Sequence, residues 1–148
     1  MAQIRLMTEK DRESVISMMR AFYASPAVFT NGSEEIFRNN VNACISSSPY
    51  LEGYVFAEGD TIQGYAILAK SYATEFGAPC IWIEDLYLKS EYRGQGMGGR
   101  FLQFVAESYP DAVLRLEAEE ENAHAIHVYK KAGFTILPYV ELKKDGLH

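Results

Sequence analysis

The feature that most constrains this chain is a strongly apolar run, Cys80–Leu88, interrupted by the acidic pair Glu84-Asp85 and followed by glycines at 94, 96, 98 and 99. The run reads as a strand. Behind the glycines, Met97, Phe101, Phe104, Val105 and Tyr109 recur at helical spacing up to Pro110. A strand that passes through glycines into a helix brings main-chain N–H groups close to a ligand. Glycine has no Cβ to hold the ligand away, and the helix N-terminus adds partial positive charge that suits phosphate. Arg93 adds a guanidinium able to bond a second phosphate oxygen. As a mere flexible turn, the same glycines would weaken the helix start for no gain.

Two well-known phosphate loops match poorly. No Gly-Lys-Ser/Thr follows, so the triphosphate-binding loop fails. Gly94-x-Gly96-x-x-Gly99 fits the dinucleotide fingerprint nominally, and Glu117 stands roughly twenty residues on, where that fold places an acid. That fingerprint normally closes the first strand of its domain, whereas two helices and a hairpin precede it here.

Around this segment, Ile4 and Leu6 alternate in a short first strand. Thr8 is placed to cap a helix whose apolar stripe is Val15, Met18, Met19, Phe22 and Tyr23. Ser25-Pro26 and Asn31-Gly32 mark a loop. Ser33 with Glu34-Glu35 opens a second helix carrying Phe37, Val41, Cys44 and Ile45 inward, and Pro49 lies just beyond its end. Tyr54–Ala57 and Ile62–Leu68 form a hairpin turning at Glu58-Gly59-Asp60, and Ser71–Pro79 reads as a loop. Val113–Ala118 is a later strand. Asn122 caps a last helix that carries Lys130 and Lys131 in its final turn and Gly133 at its left-handed stop. Phe134–Leu142 is expected to finish in extended structure, with a short hairpin around Leu137-Pro138. The order β-α-α-β-β-β-α-β-α-β implies an α/β domain with a mixed sheet.

Composition narrows the partners. The 148 residues suit one domain spanning 1–148, and 48% hydrophobic with 23% charged residues excludes disordered and fibrous classes. Fourteen Lys+Arg against twenty Asp+Glu give −6, which argues against nucleic acid and favours a cationic ligand. Cys44 and Cys80 stand apart in apolar surroundings and read as buried thiols rather than a disulfide or a zinc site. His124 and His127 have a metal-compatible spacing but no evident third ligand, so they read as surface helix residues and no metal is expected. Without a signal-peptide stretch or the ~20 apolar residues of a bilayer span, a cytoplasmic chain with no membrane partner is expected.

Arg93-Gly-Gln-Gly96-Met-Gly98 resembles the R/Q-x-x-G-x-G/A loop of the GNAT N-acetyltransferases. Asn122-Ala-His-Ala-Ile-His-Val-Tyr129-Lys-Lys-Ala-Gly133-Phe134 resembles that family's second signature, an Asn-capped helix carrying a Tyr and ending in Gly-Phe. Order and separation agree, with one strand between them. Glu84-Asp85-Leu-Tyr-Leu followed by Ser-Glu-Tyr-Arg-Gly is most similar to the diamine and polyamine acetyltransferase branch. The resemblance implies the GNAT fold: a mixed, mostly antiparallel central sheet flanked by about four helices, with a splayed central strand pair. It implies acetyl-CoA as cofactor, with CoA as product. Dimerisation is common on this fold, though nothing in the sequence demands it.

By the same resemblance, Arg93 and the loop Gly94, Gln95, Gly96, Met97, Gly98 and Gly99 grip the pyrophosphate. The main chain of Leu86, Tyr87 and Leu88 pairs with the pantetheine arm and polarises the acetyl carbonyl. Asn122 contacts the cofactor, and Tyr129 protonates the departing thiolate. Elementary chemistry adds a base. An alkyl amine with pKa about 10.4 is neutral in only about one molecule in a few thousand at pH 7, so a proton must be removed before attack. Glu84 is the best candidate, because plain alternation puts it on a face with Trp82 and Leu86, where burial raises a carboxyl pKa. Asp85 faces the other way unless a bulge changes the phase, and is the second choice.

Each role has a plainer rival: a salt-bridged strand carboxylate for Glu84, core packing for Tyr129. Glu117, Glu119, Glu120 and Glu121 read as a solvated turn with charge suited to a helix start, or as an attractor for a cationic acceptor. Acceptor-side candidates are Tyr23, Phe29, Tyr72, Glu84 and Asp85, within loops that also hold Phe22, Tyr50, Glu75 and Phe76. The expected activity is acetyl transfer from acetyl-CoA to a primary amine of a small molecule by direct attack in a ternary complex. Protein N-termini or lysines as acceptors, or a non-catalytic acyl-CoA sensor, are the alternatives.

Overall fold

The computed structural model describes residues 1–28 and 30–146. Strand β1 (Gln3–Leu6) leads through a 3-10 turn, Glu9–Asp11, into α1 (Arg12–Tyr23), and α2 (Glu34–Ile45) follows. Then come β2 (Leu51–Glu58), β3 (Thr61–Ala73), β4 (Ala78–Leu88), a 3-10 turn at Ser90–Tyr92, α3 (Met97–Ser108), β5 (Val113–Leu116) and α4 (Ala123–Lys131). The strands form one sheet in the order β1-β2-β3-β4-β5. The first four are antiparallel to their neighbours, and β5 runs parallel to β4.

Both faces of the sheet are covered, which is why its central strands are nearly continuous apolar runs. Val55, Ala57, Tyr65 and Ile67 pack with Val15, Met19, Phe37 and Val41 of α1 and α2. Their strand neighbours Tyr54, Phe56, Ala66 and Leu68 pack with Phe101, Leu102 and Val105 of α3 on the opposite face. A period of two thus sorts each strand between two cores.

The caps follow the sequence closely. Ser33 Oγ accepts the Ile36 N–H at 3.2 Å and Asn122 Oδ1 that of Ala125 at 3.3 Å. Gly133 takes φ +102, and the Phe134 N–H bonds the Tyr129 carbonyl at 3.0 Å, closing α4. Thr8 differs from expectation, because it starts the 3-10 turn and not α1 itself. Asp11 takes over there: its buried carboxylate accepts both Arg5 guanidinium bonds, at 2.8 and 2.9 Å, and the Thr8 N–H at 2.8 Å. Arg5 holds the Asp11 carboxyl below its ordinary pKa.

Two expectations fail. Most of the loop expected at Ser71–Pro79 is strand, because the β3–β4 ladder runs on to Ala73↔Ala78 and leaves only a tight turn. The terminal strand expected at Phe134–Leu142 is absent among the described residues, and the sheet ends at β5. Pro138 lacks an N–H for a ladder, and β5 offers only four residues to pair with. The segment is held instead by the Tyr129–Phe134 ring contact and by the Tyr139 hydroxyl, which donates to Glu75.

At Gly64, β3 leaves no room for a side chain against β4. A Cβ there would stand 2.3 Å from the Tyr87 carbonyl oxygen and 2.9 Å from the Leu88 and Phe56 side chains. Gly64→Ala is expected to lower unfolding stability by about 1–3 kcal/mol, the usual cost of overpacking. Urea denaturation measures it, and an unchanged midpoint would show that the strands separate there freely.

Candidate active site

The site begins with a break in strand pairing. The parallel β4–β5 ladder runs from Cys80↔Val113 to Ile83↔Leu116 and stops. On its other edge, β4 skips one residue: Ile83 pairs with Leu68 and Asp85 with Ile67, so Glu84 is bulged out between them. β4 keeps pairing with β3 as far as Gly64↔Leu88, while its β5 side has no strand partner beyond Ile83. The expected splay is therefore present. It exposes one main-chain edge of Leu86, Tyr87 and Leu88.

The bulge also changes the phase of the strand. Ile81, Ile83, Leu86 and Leu88 face the α3 core, whereas Tyr87 packs against the α1–α2 core. Glu84 thus does not share a face with both Trp82 and Leu86. It is the bulged residue and opens to solvent at the mouth of a cleft, and Asp85, not Glu84, is the buried carboxyl, 5% exposed. Both Asp85 oxygens are occupied. The Tyr23 hydroxyl donates to Oδ1 at 3.0 Å and the fully buried Tyr65 hydroxyl to Oδ2 at 2.7 Å.

The cleft measures about 930 Å³ and is lined by six carboxyl side chains, Glu84, Asp85, Glu117, Glu119, Glu120 and Glu141, with Phe22, Tyr23 and Val28 as its apolar wall. Lys143 is the one cation among the lining residues, and it is paired with Asp145. Glu84 and Glu117 each follow the last pair of the β4–β5 ladder, Ile83↔Leu116, so the gap between these strands opens between two acids. Burial raises the Glu84 carboxyl pKa, and the charges of Asp85 and Glu141 raise it further. Glu117 is pushed up to about 7, first by a hydrogen bond shared with Glu141, then by burial and by the charges of Glu141 and Glu84.

Beyond Leu88 the chain turns into the glycine loop. Arg93 Nε donates to the Leu88 carbonyl at 2.9 Å, and its guanidinium lies over the Tyr87 ring, 5.4 Å from the centroid. Gly94 and Gly96 take φ +78 and +82, values that other residues adopt only with strain. Gly98 and Gly99 need no such conformation, and a Cβ on either would meet nothing within 4 Å. The chain's own packing thus gives no reason for glycine at 98 and 99. The first-turn N–H groups of α3 have no partner within the helix, and no side chain caps them at Gly96.

The acetyltransferase (GNAT) family model matches residues 16–134. The chain belongs to the GNAT family. Among curated relatives, thialysine N-epsilon-acetyltransferase of Bos taurus is 39% identical over 79 residues, covering 51% of this chain and 46% of the relative. Spermine/spermidine N(1)-acetyltransferase of Bacillus subtilis is 30% identical over 86 residues, covering 54% and 56%. The alignments thus span about half the length of the curated relatives. Among solved structures, AAC(6')-Iy in complex with the bisubstrate analogue CoA-S-monomethyl-acetylneamine superposes with a TM-score of 0.79 at 12% identity, over 99% of each chain, a likeness of fold.

Within this GNAT fold, Glu84, Asp85 and Tyr23 converge on the cleft, while Arg93 and Gly94–Gly99 form the loop that enters α3. Tyr129 is half-buried on α4 against Phe134; burial raises its phenol pKa, and among the described residues none accepts from its hydroxyl. Asn122 spends its side-chain oxygen on the α4 cap. Tyr72 is remote from these groups, exposed at the hairpin end of β3 and paired with Pro79. Phe29 lies outside the described residues. His124 and His127 are exposed on α4, and Cys44 and Cys80 are free thiols. Among the described residues no helix is long and apolar enough to cross a membrane.

Tyr65 and Glu141 escaped sequence reasoning. Tyr65 left one trace, a hydroxyl in an otherwise apolar strand, which needs a buried partner. Glu141 left none. The glycines separate into two classes that melting temperatures distinguish. Gly94→Ala and Gly96→Ala are expected to destabilise by about 1–2 kcal/mol through the left-handed backbone. Gly98→Ala and Gly99→Ala are expected to be neutral or to stabilise by up to about 1 kcal/mol through helix propensity. Destabilisation at all four positions would mean that packing does require the second pair.

Proposed function

We propose that this chain is an acetyl-CoA-dependent N-acetyltransferase that acts on a primary amine of a small cationic molecule, of the diamine or polyamine kind, by direct attack in a ternary complex. The observation that carries the reading is the bulge at Glu84. It sets a carboxyl of raised proton affinity at the gap between β4 and β5, where a cleft of six carboxyl side chains meets the free edge of β4. The named relatives act on polyamines and thialysine, and a cleft so acidic suits an acceptor that brings its own positive charge.

The residues fit the cofactor. Glycines 98 and 99, unexplained by packing, leave room for phosphate oxygens against the first-turn amides of α3, with Gly94, Gln95, Gly96 and Met97 continuing the cradle and Arg93 beside it. The β4 edge along Leu86, Tyr87 and Leu88, which has no strand partner and whose Leu88 carbonyl accepts from Arg93, would hold the pantetheine arm, and Asn122 would contact it through the side-chain nitrogen that the cap leaves over. Acetyl-CoA supplies the acyl group as a thioester.

Glu84 would take one proton from the bound ammonium, freeing the lone pair that forms the C–N bond as the thioester C–S bond breaks. The second proton that the nitrogen sheds as the amide forms would replace the one that Tyr129 gives up. Tyr129 gives its phenolic proton to the departing sulfur. Its raised pKa keeps it protonated at neutral pH. Glu84 is competent only when ionised, so kcat/KM falls as pH drops through its pKa. Because that pKa is raised, the acid limb is shifted upward from where an ordinary glutamate would place it.

Thiol release from acetyl-CoA, measured with polyamines, amino acids, aminoglycosides and a peptide, tests the reading. Turnover is expected with polyamines or other small cationic amines. Glu84→Gln is expected to lower kcat by about 100-fold or more and to abolish the acid limb. Cofactor binding without turnover on any amine would favour a sensor instead. Tyr129→Phe is expected to lower kcat at least roughly tenfold with little change in either KM. Full kcat in that variant would remove the general-acid role.

A further inference from the structure

Asp85 carries an unusual burden. It is 5% exposed, and none of the six ion pairs among the described residues includes it. A buried carboxylate without a cation is costly to a fold: burial raises the Asp85 pKa, and only the hydrogen bonds from the Tyr65 and Tyr23 hydroxyls oppose that rise. The groups around it are otherwise neutral or acidic: the Cys44 thiol from α2, Tyr87 on its own strand and Glu84 beside it. Nothing in the described structure balances this charge.

The two tyrosines differ in one respect. Tyr65 is fully buried, whereas Tyr23 lines the cleft beside Glu84. The two hydroxyls donate to the two Asp85 oxygens, so each phenol spends its single hydrogen there. The Tyr23 oxygen is left with its lone pairs and no hydrogen, an acceptor on the cleft wall. Resting on the transferase reading above, we propose that Asp85 is a positioning residue: it fixes the Tyr23 hydroxyl with its hydrogen inward, so that the phenol oxygen accepts an N–H of the acceptor's ammonium next to Glu84. The bound ammonium then supplies the positive charge that the buried carboxylate lacks. Two acceptors, Glu84 and Tyr23, orient the nitrogen before its proton leaves.

Steady-state kinetics with the best amine and with acetyl-CoA test this. Tyr23→Phe is expected to raise the amine KM roughly tenfold, the loss of one hydrogen bond to a charged group, while the acetyl-CoA KM stays unchanged. In Asp85→Asn, the side-chain amide can donate to the Tyr23 oxygen and turn its hydrogen toward the cleft. A similar rise is expected, and Asp85→Asn added to Tyr23→Phe should change the amine KM less than about twofold further. An unchanged amine KM in Tyr23→Phe, or effects that multiply in the double variant, would overturn the inference. If Asp85→Asn does not fold, Tyr65→Phe replaces it. Tyr65 bonds the same carboxylate away from the cleft, so its loss should lower the melting temperature and leave the amine KM near wild type. Equal KM changes in the two tyrosine variants would mean a structural role only. A wild-type chain that turns over no amine would overturn the transferase reading itself, before any variant is made.

Discussion

The one-residue slip between β3 and β4 at Glu84 is the constraint on which the site depends. Without it, strict alternation would send Asp85 to the same side as Ile81 and Ile83, against the largely apolar α3 core and away from Tyr23 and Tyr65. With it, Ile83 and Leu86 both stay on the α3 side, Asp85 meets Tyr23 and Tyr65, and Glu84 is pushed out toward the gap. The same slip lies where β4 and β5 part company after Ile83↔Leu116. One irregularity in a ladder thus separates the strands, turns the acid pair and frees a main-chain edge.

Much of the fold was legible because it rests on local chemistry. The Ser33 and Asn122 caps, the Gly133 stop and the alternation of Tyr54–Ala57 with Ile62–Leu68 depend on residues within a few positions of one another. The expected elements that failed depend on distant neighbours. Ser71–Ala73 carries weak strand character and becomes strand because Ala78–Cys80 lies opposite. Phe134–Leu142 has the composition of a strand but no ladder to join.

The site was legible in its residues more than in its geometry. Glu84, Asp85 and the glycines stand out from the sequence, but which acid is buried turns on a slip that alternation cannot reveal. Tyr65 and Glu141 reach the site from a buried strand and from the far end of the described chain, 20 residues before Asp85 and 56 after it. Only folding brings them into one place. The raised proton affinity of Glu84 follows the same rule, since Glu141 contributes to it across that separation.

Strand order in the sheet repeats chain order, so every paired strand is also a neighbour in sequence. Closing short loops costs little chain entropy, and contacts of small sequence separation are the ones that form fastest. The β2–β3–β4 meander, joined by two tight turns, can therefore set its register before the parallel β5 arrives across the α3 crossover. The slip at Glu84 belongs to that meander. The slip that sets the site therefore lies wholly within a part of the sheet whose contacts are close in sequence, and only β5 reaches β4 across an intervening helix.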